Sequence, residues 1–87
     1  MLKFQFDKRK SLSNLNKHGI DFDRAQLMWD DPELVEIRAR SDDENRSLMV
    51  ARLDGKFWSA VITRRHDYIR IISVRRSRSL EVALYEG

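Results

Sequence analysis

The stretch Leu53-Asp54-Gly55-Lys56-Phe57-Trp58-Ser59-Ala60-Val61-Ile62-Thr63 decides how this chain folds. Asp-Gly is a strong hairpin signal, because a type I′ turn needs positive φ at both central residues. The residues after it, 56–63, are rich in aromatic and β-branched types and read as a strand. The residues before it, 46–53, read as its partner. A turn at Arg65-His66-Asp67 leads to a third strand over 68–74. All three carry apolar residues on both faces (Met49 and Val50, Trp58 and Val61, Ile71 and Ile72), as strands covered on two sides do.

Working outward, Val35, Ile37 and Ala39 alternate with Glu36 and Arg38 in a further strand, joined to the next by a polar loop over 41–45. Leu2, Phe4 and Phe6 alternate with Lys3, Gln5 and Asp7 in a first strand. Asp7 can cap a helix from residue 8 to about 17, with a thin apolar face of Leu12 and Leu15. Gly19 stands where a helix end favours a left-handed residue. Asp21 is the natural cap of a second helix over 22–29, which buries Phe22, Ala25, Met28 and Trp29, and Pro32 closes it. A last helix over about 77–85 carries Leu80 and Leu84 at i, i+4. The order β-α-α-β-β-β-β-α predicts an α+β fold, with one antiparallel sheet and helices packed on it. At 87 residues and 41% hydrophobic content, one domain over 1–87 with a single core is expected.

Composition narrows the chemistry. There is no cysteine, so disulfides and thiolate sites are excluded, and two histidines are too few for an imidazole-rich metal centre. No metal or cofactor is expected. No apolar run approaches the roughly 20 residues of a membrane span. Charges interrupt the N-terminal residues, so a soluble, cytoplasmic protein without membrane contact is expected. Net charge is only +3, but it is unevenly spread. Between residues 21 and 44 nine acids face three bases; between 64 and 78 six arginines face Asp67 alone. The second region can meet a polyanion. Arginine, whose planar fork matches phosphate oxygens, outnumbers lysine twelve to five.

Several ordered pieces resemble the BrnT family of toxins. These are Lys17-His18-Gly19, Phe22 and Ala25, Asp31-Pro32, Glu44 with Arg46, and the run from Asp54 through Arg65. The most specific is Ile69-Arg70-Ile71-Ile72-Ser73-Val74-Arg75-Arg76-Ser77-Arg78, followed by Glu81 and Tyr85. The resemblance spans residues 4 to 85. It implies a RelE-like fold and a ribonuclease toxin of a type II toxin–antitoxin pair. It also implies a BrnA-like antitoxin with a ribbon-helix-helix DNA-binding domain, and contact with operator DNA only through that antitoxin. His66 stands where the family usually has a small turn residue. Arg64 stands where it often has an aromatic or an acid.

Metal-free RNA cleavage uses the RNA's own 2′-hydroxyl. The protein must position the phosphate, stabilise its growing charge and move protons. Arg65 and Arg75, each ending a strand, are the first candidates for the phosphate, and an exposed salt bridge is the other reading of each. If residues 65–68 make a tight hairpin, those two strand ends need not lie together, and a shared site needs the fold to bring them round. Arg64, Arg70, Arg76, Arg78 and Arg46 are candidates for further RNA contact. Arg70, mid-strand among isoleucines, can equally bridge a buried acid. His18 suits proton transfer by residue type, or it caps a helix end, and Lys17 beside it can bind phosphate or satisfy the same helix dipole. Tyr85 can stack a base, donate a proton or pack in the core. Trp29 and Trp58 read as core, and Glu44 with Arg46 as an acid–base or an ordinary ion pair. The alternatives to an enzyme are a non-catalytic RNA- or partner-binding module, or a degenerate toxin acting as operon co-repressor.

Overall fold

A computed structural model describes residues 2–38 and 46–87. Its elements are β1 (Lys3–Gln5), α1 (Lys8–His18), α2 (Phe22–Ala25) continued by a 3₁₀ turn (Gln26–Asp30), β2 (Val35–Arg38), β3 (Arg46–Leu53), β4 (Lys56–Arg65), β5 (Tyr68–Arg76) and α3 (Ser79–Glu86). The expected element order holds. Ala39 and the loop over 41–45, with Glu44, lie outside the described residues.

Local signals act as read. The Asp7 carboxylate accepts from the backbone N–H of Arg9 at 2.8 Å and of Lys10 at 3.2 Å. Gly19 ends α1 with φ 80°, and Asp21 caps α2 through the Arg24 N–H at 2.8 Å. Asp54 and Gly55 both take positive φ, 56° and 74°, in the β3–β4 turn. The β4–β5 turn is tighter than expected: β4 runs to Arg65 and only His66 and Asp67 connect the strands. His66 has φ 51°, a conformation glycine adopts freely and a histidine holds at a cost of roughly 1–2 kcal/mol.

The sheet order is β1-β5-β4-β3-β2. It corrects the all-antiparallel expectation, because β1 runs parallel to β5, pairing Phe4 with Ile69 and Gln5 with Arg70. The helices between β1 and β2 carry the chain across one face, and β5 takes the place beside β1. On that face the core gathers Phe22, Ala25 and Met28 against Met49, Ala51, Trp58, Ala60, Ile62, Ile69, Ile71 and Val74. Trp58 is core as read, whereas Trp29 is half-buried at the core's margin.

Helix α1 corrects a second expectation. Leu12 and Leu15 are exposed, and Ser11 and Asn14 turn inward. The reason is the free edge of β5, since β1 covers only its first three residues. Beyond them Asn14 acts as a substitute strand. Its carbonyl accepts from the Val74 N–H at 3.0 Å, and its amide donates to the carbonyls of Val74 at 2.9 Å and Ile20 at 2.8 Å. Ser11 accepts from the Phe22 N–H at 2.9 Å. Truncating Asn14 would strand buried backbone groups, at about 1–3 kcal/mol each.

On the opposite face lie Val50, Ser59, Val61, Thr63, Arg65, Tyr68, Arg70, Ser73 and Arg75, by alternation from the core residues. A register shift between Val61 and Ile62 puts an extra residue in β5, so Arg70 and Arg75 share this face although five positions apart. Helix α3 covers one end of it. Leu80 and Leu84, expected to pack, point to solvent; Glu81, Val82 and Tyr85 turn inward.

Candidate active site

The six arginines between residues 64 and 78 do not form one patch. Arg64 and Arg76 lie on the helix-covered face, the first beside Ile62 in alternation and the second opposite Trp58. Arg76 sits 5.6 Å over the Trp58 ring. Arg65, Arg70 and Arg75 lie on the other face, and exposed Arg78 caps α3 from its backbone position.

Arg65 and Arg75 stand at opposite ends of the β4–β5 ladder. Arg65 pairs with Tyr68, and Arg75 pairs with Ser59. Six positions along β4 separate the two rows, or roughly 20 Å at about 3.4 Å per residue. The fold does not bring these two arginines together.

Arg75 is part of a half-buried bracket. Its guanidinium donates twice to Glu81, at 2.8 and 2.7 Å. Glu81 also accepts from Ser59 Oγ at 2.8 Å and from the Arg78 N–H at 2.9 Å, and Ser59 meets Ser77 at 2.7 Å. The Arg75 guanidinium, aided by these donors, holds the Glu81 carboxyl down at about 2 against partial burial. The same pairing raises Arg75 above its ordinary value. Arg75 is therefore neither beyond its strand nor free of the core's margin, and its removal would leave Glu81 short of its main partner. Tyr85 anchors the other end of α3. Its hydroxyl donates to Asp31 at 2.8 Å and its ring meets Phe57 edge-on at 5.2 Å. Burial works against the Asp31 charge, but N–H groups of Arg52 and Glu33 and the Tyr85 hydroxyl hold its carboxyl below the ordinary range.

Arg70 is held differently. It donates at 2.8 Å to the Gln5 amide oxygen, not to a buried acid. A neutral partner fixes the fork without cancelling its charge. The register puts Arg46, Thr63, Arg70 and Gln5 in one row across four strands. Thr63 Oγ1 is buried without a hydrogen-bond partner among the described residues. The next row holds Arg65, Tyr68 and Lys3, the last in an exposed 3.5 Å pair with Asp67.

His18 and Lys17 meet this region at the β5 edge. With Lys10, Ser13 and Asn14 of α1 they line a groove of about 190 Å³ against Ile72 and Ser73. Ser73 lies on the arginine face between Arg70 and Arg75. Residues 8–18 carry Lys8, Arg9, Lys10 and Lys17 and no acid. The groove is thus a cationic approach to the Arg70 row.

Comparison with known families matches residues 6–81 to BrnT, the ribonuclease toxin of type II toxin–antitoxin systems. The chain belongs to that family. No curated protein sequence matches it. As a BrnT-family ribonuclease toxin it acts on RNA and is paired with an antitoxin.

Gln5, Thr63 and Tyr68 were not singled out in sequence, although alternation plus the hairpin register places the last two beside the arginines. Gln5 carried no such signal, because its neighbour Arg70 is distant in the chain. Glu81 was legible only as part of a family pattern.

Proposed function

We propose that this chain is a metal-independent endoribonuclease with a RelE-like arrangement, and that the Arg46–Thr63–Arg70–Gln5 row with Arg65 holds the scissile phosphate. The observation that carries the reading is the contrast in partners: Arg70 is oriented by a neutral amide and keeps its charge for an anion. The 2′-oxygen attacks the adjacent phosphorus, the 5′-oxygen leaves, and the arginine forks stabilise the charge gathering on the equatorial oxygens. His18, entering through the groove with Lys17 beside it, is the group suited to move the proton. Arg75 and Tyr85 serve the attachment of α3 in this reading, and Arg64, Arg76 and Arg78 lie off the phosphate row.

The antitoxin partner carries a ribbon-helix-helix domain that alone touches operator DNA, and its neutralising segment covers the arginine face. The test is purified chain incubated with single-stranded RNA and a chelator. Cleavage that leaves 2′,3′-cyclic phosphate ends, and that 2′-O-methylation of the RNA abolishes, is expected. Intact RNA, or cleavage lost on chelation, would overturn the metal-free enzyme.

A further inference from the structure

The helix-covered side of the β4–β5 turn holds a feature that phosphate binding does not use. Trp29, Leu34 and Met49 wall an open cleft of about 410 Å³, rimmed by Glu36, Arg64 and His66. That volume lies within the usual range for small-ligand sites, and an apolar wall with a few fixed polar groups is their usual make-up.

The wall and the rim are both fixed in advance. Phe4 packs edge-on against Trp29 with centroids 4.9 Å apart, which sets the plane of the indole. Arg64 makes a two-pronged pair with Glu36, one arm at 3.0 Å, and Ser47 Oγ donates to the same carboxylate at 2.7 Å. The Arg64 side chain nonetheless remains 44% exposed. A guanidinium has five N–H donors, so this pair leaves it three to offer. His66, in its left-handed conformation, occupies a turn position where glycine would sit without strain.

We infer that this cleft takes one base of the RNA, guanine foremost, stacked on Trp29 and read at its edge by Arg64 and Glu36; the inference rests on the ribonuclease reading. Arginine pairs with the O6 and N7 acceptors of guanine, and a carboxylate accepts from base amino groups. Stacking on an aromatic side chain is available to every base, so the Arg64–Glu36 pair supplies the preference. Arg65, beside this turn, faces the other side of the sheet by alternation. A strand passing round the β4–β5 turn would place phosphates on one face and a base on the other.

The test is a titration of the whole chain with GMP, AMP, CMP and UMP, with inorganic phosphate as the control, followed by NMR. GMP should shift the Trp29 indole N–H and the His66 ring at lower concentration than the other nucleotides, and phosphate alone should not. Arg64→Met should weaken GMP about tenfold or more. Since that variant leaves Glu36 unpaired, His66→Gly supplies a second arm: its melting temperature should hold or rise while GMP binding weakens several-fold. Nucleotides that shift only the arginine face, or that bind both variants as tightly as the native chain, would overturn the base site. So would Trp29 signals that move with protein concentration alone, because a second copy would then fill the cleft. The titration needs no cleavage, so an inactive chain that still binds GMP here would sink the enzyme reading and spare this one.

Discussion

Arg70 and Arg75 project from the same face of β5, each fixed by a side chain that accepts its hydrogen bonds. Arg70 is fixed by the amide of Gln5, whereas Arg75 is fixed by the carboxylate of Glu81. The first pair keeps a net positive charge at the sheet surface. The second is neutral, half-buried and roofed by α3. Residue type alone does not make an arginine a phosphate ligand; the charge of its partner decides what it has left to offer. The same contrast separates Arg65, which pairs with no acid among the described residues, from Arg64, paired to Glu36.

The largest effect that sharpens this contrast is on rate. Arg70→Ala should slow RNA cleavage about 100–1,000-fold, the usual loss for one charge-stabilising donor. Its melting temperature should stay close to that of the native chain, because the side chain bonds only a surface amide. Single-turnover cleavage beside a thermal melt separates the two effects, and an unimpaired rate would remove Arg70 from the site.

Next in size is the stability of the roofed end. Glu81→Ala should cost about 2 kcal/mol, since it strands a half-buried guanidinium and removes the acceptor for the Arg78 N–H. Arg75→Ala should cost somewhat less, because Glu81 keeps Ser59 and the Arg78 N–H. Urea unfolding would read both. Two variants as stable as the native chain would show that the bracket holds nothing together.

Acid should reveal the same bracket. The Glu81 carboxyl lies at about 2 in the folded chain against an ordinary 4.5. Its stabilisation is complete above about pH 4.5 and is lost as pH falls toward 2. The native chain should therefore lose stability faster over that window than Glu81→Gln, when unfolding is followed by circular dichroism. Parallel losses in the two would contradict the assignment. The smallest effect belongs to the exposed Lys3–Asp67 pair. Lys3→Ala should change stability by less than about 0.5 kcal/mol, and a larger change would mean that exposed pairs here are not weak.

Much of the fold was legible because its signals are local. Asp7, Gly19, Asp21 and Asp54-Gly55 act on backbone within a few residues, so reading them needs no tertiary knowledge. The inward turn of Ser11 and Asn14 was not legible. It answers the unpaired edge of β5, 60 residues from Asn14, and a strand edge needs hydrogen bonds more than it needs leucines. The parallel pairing of β1 was hidden for the same reason. At the site, the short turn between their strands left the placement of Arg65 and Arg75 open, and the observed register separates them by six positions along β4. The partners that set the two arginine fates were not legible, because Gln5 reaches Arg70 only through that parallel pairing.

In the proposed mechanism the open arginine row, not the roofed one, meets the scissile phosphate. The most direct measurement is the cleavage rate of one RNA by Arg65→Ala/Arg70→Ala set beside Arg75→Lys, at a temperature where both are shown to be folded. The double variant should lose at least about 100-fold, while Arg75→Lys, which keeps a charge beside Glu81, should cleave within a few-fold of the native chain. The reverse ranking, with Arg75→Lys inactive and the double variant active, would contradict it.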